Sequence, residues 1–128
     1  MINDTFTIIA QEDTPFVSLE KKEGHNQIVI KGLSMPENVL EFYAPLNDKI
    51  FSFFDGAFEN IQLDINLEYM NSMSNKQLLK LLKNMAEKDN QLKVIWRYNE
   101  QDDLIKHKGA EIQSIFPHLN LQLEEIAN

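Results

Sequence analysis

With 128 residues, 43% of them apolar and eight of them phenylalanine, the chain has material for one hydrophobic core, and a single domain over 1–128 is expected. It has no cysteine, which excludes disulfides, thiolate zinc sites and a cysteine nucleophile. Twenty acidic against 12 basic residues set a formal net charge of −8. That charge repels nucleic-acid phosphates and anionic membranes and leaves proteins or small molecules as the expected partners.

The opening stretch, Met1 to Phe16, carries acids where a secretory signal carries bases, and its apolar part is too short for a signal core. No later run of ~18 apolar residues could cross a bilayer. A soluble, cytoplasmic protein is the expectation. A weak strand is predicted from Thr14 to Glu20, then a second in which Ile28 and Ile30 alternate with polar residues. Brief punctuation at Lys31-Gly32, Ser34 to Asn38, Asp55-Gly56, Asp89-Asn90 and Phe116-Pro117 separates strand-like from helix-like segments.

The first helix is predicted over 36–54, with Val39, Tyr43, Leu46, Ile50 and Phe53 on one stripe. Pro36 suits its first turn, and Pro45 is expected to kink or split it. Residues 61–69 alternate almost without fault: Ile61, Leu63, Ile65, Leu67 and Tyr69 against Gln62, Asp64, Asn66 and Glu68, the mark of a half-buried strand. A second helix, 75–88, aligns Leu78, Leu82 and Met85. Leu92, Val94, Trp96 and Tyr98 form another strand. A third helix, 102–116, aligns Ile105, Gly109, Ile112 and Phe116, with Gly109 permitting close approach to the sheet. Leu119, Leu121 and Leu123 give the last strand.

Strands alternating with helices call for parallel connections and an α/β sheet. A parallel sheet covered on both faces has nearly continuous apolar strands, whereas these alternate. The helices are therefore expected mainly on one face of a mixed, mostly parallel sheet, the arrangement of STAS-like domains.

Between the clearest strand and the second helix lies Tyr69-Met70-Asn71-Ser72-Met73-Ser74-Asn75-Lys76-Gln77. Ser74 and Gln77 have the spacing of a capping box, which assigns the Ser74 hydroxyl to the helix N-cap and leaves Ser72 in the loop without structural duty. A phosphate on Ser72 would meet the positive end of the helix dipole and its unpaired N–H groups, with Lys76 as a further cation. Most serines before helices only cap or turn, so local chemistry leaves both readings open.

The same residues resemble the phosphoacceptor loop of SiaC-type regulatory phosphoproteins: a strand, then aromatic–apolar–Asn–Ser/Thr–x–Ser, then a helix. Two further stretches resemble that family in register, Ser34-Met35-Pro36-Glu37-Asn38 and Trp96-Arg97-Tyr98 followed by Glu100 to Asp103. The likeness runs from about Ile28 to Leu123. It implies a partner switch similar to anti-sigma-factor antagonists. In that switch Ser72 is phosphorylated by a serine/threonine kinase of histidine-kinase-like ATP fold and dephosphorylated by a PP2C-type phosphatase. The unphosphorylated form would bind an effector, with a diguanylate cyclase, cyclic-di-GMP and biofilm behaviour as the output. Asn71, Ser74 and Lys76 would form the cap and phosphate environment; Met35, Pro36, Glu37, Asn38 and Met73 would shape the partner surface. Met73 departs from the small polar residue expected there.

No cofactor, metal or catalytic function is expected. His25, His107 and His118 lie in separate segments without ligand spacing, and no phosphate-cradling glycine motif or nucleophile elbow is present. Phe51 and Phe54 on the first helix would be core or, if exposed, docking residues. The competing function is a constitutive STAS-like module binding a protein or small ligand without phosphorylation. A lipid or small-molecule carrier is a third.

Overall fold

Residues 4–23, 25–55 and 58–127 are described in the computed structural model. Along them run β1 (Asp4–Ile8), β2 (Phe16–Lys22), β3 (His25–Ser34), α1 (Val39–Phe53), β4 (Ile61–Met70), α2 (Ser72–Lys88), β5 (Lys93–Asn99), α3 (Asp103–Ile115) and β6 (Asn120–Ile126). The sheet order is the chain order; β1–β2 and β2–β3 are antiparallel, and β3 through β6 are parallel. Each parallel step moves one place in the same direction. Three right-handed crossovers then put α1, α2 and α3 on one face of the sheet.

Side-chain alternation fits that placement. Ile28, Leu63 and Val94 lie in register across β3, β4 and β5, as do Ile30, Ile65 and Trp96, and all six are fully buried. From the helices they meet Leu46, Ile50, Leu78, Leu82, Met85, Ile105 and Ile112. The other face is polar, as expected, but its centre is covered by its own side chains. Gln27 Nε2 donates to Asp64 Oδ2 at 2.7 Å, Arg97 Nη2 lies 3.6 Å from Asp64 Oδ1, and Arg97 also pairs with Glu124. Asp64 is buried among them.

Gly109 has the role its position suggested. A Cβ there would collide with the Trp96 and Leu123 side chains, and the close approach lets Trp96 Nε1 donate to the Ile105 carbonyl at 2.8 Å.

Several elements differ from expectation. β1 was not foreseen: only Phe6 and Ile8 mark it, and pairing with Leu19 and Val17 of β2 holds it in place. α1 begins at Val39, not at residue 36, because Asn38 caps it by accepting from the Glu41 N–H. Pro45 does not split α1; it sits on the exposed face, where water can satisfy the carbonyl left without its donor. Phe54 is fully buried and Phe51 stacks on Phe58 at 4.8 Å, so both serve packing. Of the Asp55-Gly56 turn, Gly56 lies outside the described residues.

Lys31-Gly32 is not a break but part of β3. Gly32 has φ of +117°, and there the pairing steps from Gly32↔Leu67 to Leu33↔Tyr69, so Glu68 is an extra residue in β4. Such a bulge re-aims the side chains beyond it. Met70 turns into the core and Tyr69 turns out, 45% exposed, which corrects the expectation that Tyr69 shares a face with Ile61.

Candidate functional site

β4 delivers the chain to α2 through Asn71. Its N–H donates to the Ser34 carbonyl at 3.0 Å, which ties the end of β4 to the end of β3. Its backbone is extended, its Oδ1 accepts from the Ser74 N–H at 2.8 Å, and its carbonyl accepts from the Asn75 N–H at 3.0 Å. Asn71 is therefore the N-cap and the helix starts at Ser72, three residues before the expected start.

This corrects the assignment of Ser74 as the cap. Ser74 is the third helical residue and is fully buried. Its Oγ accepts from Ser34 Oγ at 3.0 Å, and Ser34 Oγ lies 2.6 Å from the Tyr43 hydroxyl. Asparagine is at least as good a cap as serine, and with Asn71 in that role the Ser74 side chain points between β3 and α1. Three hydroxyls from β3, α1 and α2 are thus knotted beneath the loop. Burial raises the Tyr43 pKa above 10.0, opposed in part by its hydrogen bonds to Ser34 and Ser74, so the phenol stays neutral at physiological pH.

Above the knot Ser72 is exposed at the first helical position. The first N–H groups of a helix have no intrahelical acceptor and carry the positive end of its dipole. The first turn of α2 has no acidic side chain. Lys76, also exposed, lies four residues on and so on the same side of the helix as Ser72. A phosphate attached here would find partial positive charge without displacing anything packed.

The topology places the carboxyl ends of β3, β4 and β5 and the N-termini of α1, α2 and α3 at one end of the sheet. Exposed apolar side chains gather there: Met35 after β3, Leu40 in the first turn of α1, Tyr69 at the end of β4, Met73 (51% exposed) beside Ser72, and Leu104 in the first turn of α3. Of the residues expected on the partner surface, Met35, Glu37, Asn38 and Met73 are exposed, with Asn38 also capping α1. Pro36 is buried and is removed from that surface. The Met35 N–H donates to the Asp13 carbonyl at 2.8 Å, and this tie turns the proline inward as it leaves Met35 outward.

The hydroxyl knot and the outward Tyr69 were missed from sequence. Ser34 is 9 residues from Tyr43 and 40 from Ser74, so no local periodicity links them. The signal for Tyr69 was Gly32 within a strand pattern, a position that often marks a bulge. Among the described residues no group of three or more metal-type side chains is gathered and no helix is long and apolar enough to cross a membrane.

A mixed sheet with helices on one face, and at one end of it an accessible serine at a helix N-terminus with exposed apolar side chains around it, define a small α/β module. The model of the SiaC family regulatory phosphoproteins matches residues 8–126, and the chain belongs to that family. No curated protein sequence matches it. Its fold is similar to a chain in the crystal structure of the diguanylate cyclase SiaD in complex with its activator SiaC from Pseudomonas aeruginosa, with TM-score 0.76, 19% identity, and 96% of this chain and 99% of that chain covered. It is also similar to apo-SiaC from Pseudomonas aeruginosa, with TM-score 0.71, 19% identity, and 95% and 98% covered. At this level of identity the likeness is one of fold.

Proposed function

We propose that this protein is a partner switch in which phosphorylation of Ser72 controls docking to an effector protein. The observation that carries the reading is the exposed Ser72 hydroxyl at the start of α2, between Met73 and Tyr69 on the end where exposed apolar side chains collect. Family membership supports the regulatory role. The effector is a diguanylate cyclase, a reading supported by the similar fold found in the complex of SiaD with its activator SiaC. A serine/threonine kinase adds the phosphate and a PP2C-type phosphatase removes it. The chain performs no catalysis of its own.

The unmodified form docks by burying Met35, Leu40, Tyr69 and Met73 against the effector, with Glu37 and Asn38 at the rim. A phosphate on Ser72 brings ~1.5 to 2 negative charges into that contact. Burying it without a partner costs several kcal/mol, and at about 1.4 kcal/mol per tenfold this is roughly a hundredfold or greater loss of affinity. The test is the Kd for a diguanylate cyclase of the same host, measured with unmodified protein, enzymatically phosphorylated protein and Ser72→Ala. The unmodified and Ser72→Ala forms should bind alike and the phosphorylated form far more weakly. Equal binding by all three would leave a constitutive module instead.

A further inference from the structure

Next to the Ser72 loop the sheet opens. The β4–β5 ladder stops at Ile65↔Trp96, whereas β3–β4 pairing continues to Ser34↔Met70 and β5–β6 pairing to Asn99↔Ile126. The two central strands therefore part over their last residues while each keeps its outer neighbour. Three residues beyond the last β4–β5 pair, the extra Glu68 beside Gly32 at φ +117° puts a bulge in the parted stretch of β4. Open space beside Gly32 confirms that the glycine serves backbone conformation, since an added Cβ would meet only Pro15, at 3.9 Å.

The gap is a crevice of about 580 Å³ whose apolar lining residues include Leu67 and Ile126. That volume lies in the ~300–1,000 Å³ range of small-molecule sites, and the carboxyl ends of parallel strands are where α/β sheets take ligands. Its polar walls have a definite chemistry. Lys31 supplies a cation from β3; Glu68 on the bulge and Asp102 at the start of α3 supply carboxylates; Asn66 and Gln101 supply amides, and Asn99 shapes the wall with its Oδ1 accepting from the Gln101 N–H at 3.1 Å. Asp102 uses Oδ1 to accept from the Ile105 N–H at 3.0 Å, which fixes its carboxylate at the cavity wall.

We infer that this crevice is a binding site for a small zwitterion of the amino-acid class, its carboxylate toward Lys31, its ammonium toward Glu68 and Asp102, and its other polar atoms on the Asn66 and Gln101 amides. The alternatives fit less well. A nucleotide or inorganic phosphate would meet two carboxylates for one lysine in a chain of net charge −8. A polyamine would leave Lys31 opposed, and an apolar ligand would bury the Lys31 and Glu68 charges and the Asn66 and Gln101 side-chain amides without offering them a polar partner. The site uses neither the Ser72 hydroxyl nor its phosphate, so it stands or falls separately from the partner switch.

The test is a titration of uniformly 15N-labelled full chain with a mixture of the twenty common amino acids at millimolar concentration, followed by the single compounds, read by amide chemical shifts. Saturable shifts confined to 31–32, 66–68, 99–102 and 126 are expected. Lys31→Met and Glu68→Gln, each on the exposed rim, should each weaken binding by about tenfold or more while leaving the rest of the spectrum in place. No saturable shift, shifts scattered over the surface, binding unaffected by both variants, or preferential binding of inorganic phosphate in a parallel titration would each overturn the assignment.

Discussion

Ser72 and Ser74 are two residues apart on one helix and so point about 200° apart around its axis. One faces solvent and the other is buried against Ser34. This geometry predicts an ordered stability series, checked by urea unfolding. Ser72→Ala should change ΔG by no more than ~0.5 kcal/mol, as for other surface sites. Asn71→Ala removes the cap and should cost about 1 kcal/mol. Ser74→Ala removes a partner from the Ser34 hydroxyl in a dry environment and should cost about 1–3 kcal/mol.

Tyr43 adds a pH prediction. Its pKa in the folded protein is above 10.0, its ordinary value, because burial disfavours the phenolate. As pH rises past 10.0 the unfolded chain releases this proton before the folded chain does, so the contribution is intact below 10.0 and is lost above it. Wild type should therefore lose more stability than Tyr43→Phe between neutral and strongly alkaline pH, and equal losses in the two would exclude this source.

The elements divide into those with periodic signals and those without. The period of 2 in 61–67 and the 3.6-residue stripes of α2 and α3 foretold β4 and the buried faces of both helices, because one-sided burial writes itself into local spacing. The alternating strands also foretold helices on one face. The failures were non-local or terminal. The two apolar residues of β1 mean little until Val17 and Leu19 are opposite them. The capping-box spacing of Ser74 and Gln77 competed with a better cap at Asn71, and only the buried partners of Ser74 decide between them.

Two glycines test packing and bulge separately. Gly109→Ala forces a methyl against Trp96 and Leu123 and should lower stability by about 1–3 kcal/mol in thermal or urea unfolding. Gly32→Ala has room for its methyl but not the backbone conformation, and about 1–3 kcal/mol of strain should act on the bulge. Relief of that strain by local rearrangement would move the amide shifts of Glu68 and Tyr69, which Gly109→Ala should leave near their wild-type positions.

For the whole molecule, chain-order topology gathers three helix N-termini at one end, and the largest exposed apolar residues apart from Ile9 and Ile115 lie there with Ser72. In the proposed switch, docking and modification would share this surface, which is the physical condition for a phosphate to act as a switch. Met73→Asp places a fixed charge beside Ser72 without touching the core. It should weaken effector binding in a pull-down or calorimetric titration, whereas Ile115→Asp at the opposite end of α3 should not.

The decisive measurement is peptide mass spectrometry of the protein purified from its native host and after incubation with its cognate kinase and ATP. The predicted result is a single phosphate on Ser72, absent from Ser72→Ala. Phosphate on Ser74 instead would contradict the burial of that hydroxyl, and an unmodified chain under both conditions would contradict the switch itself.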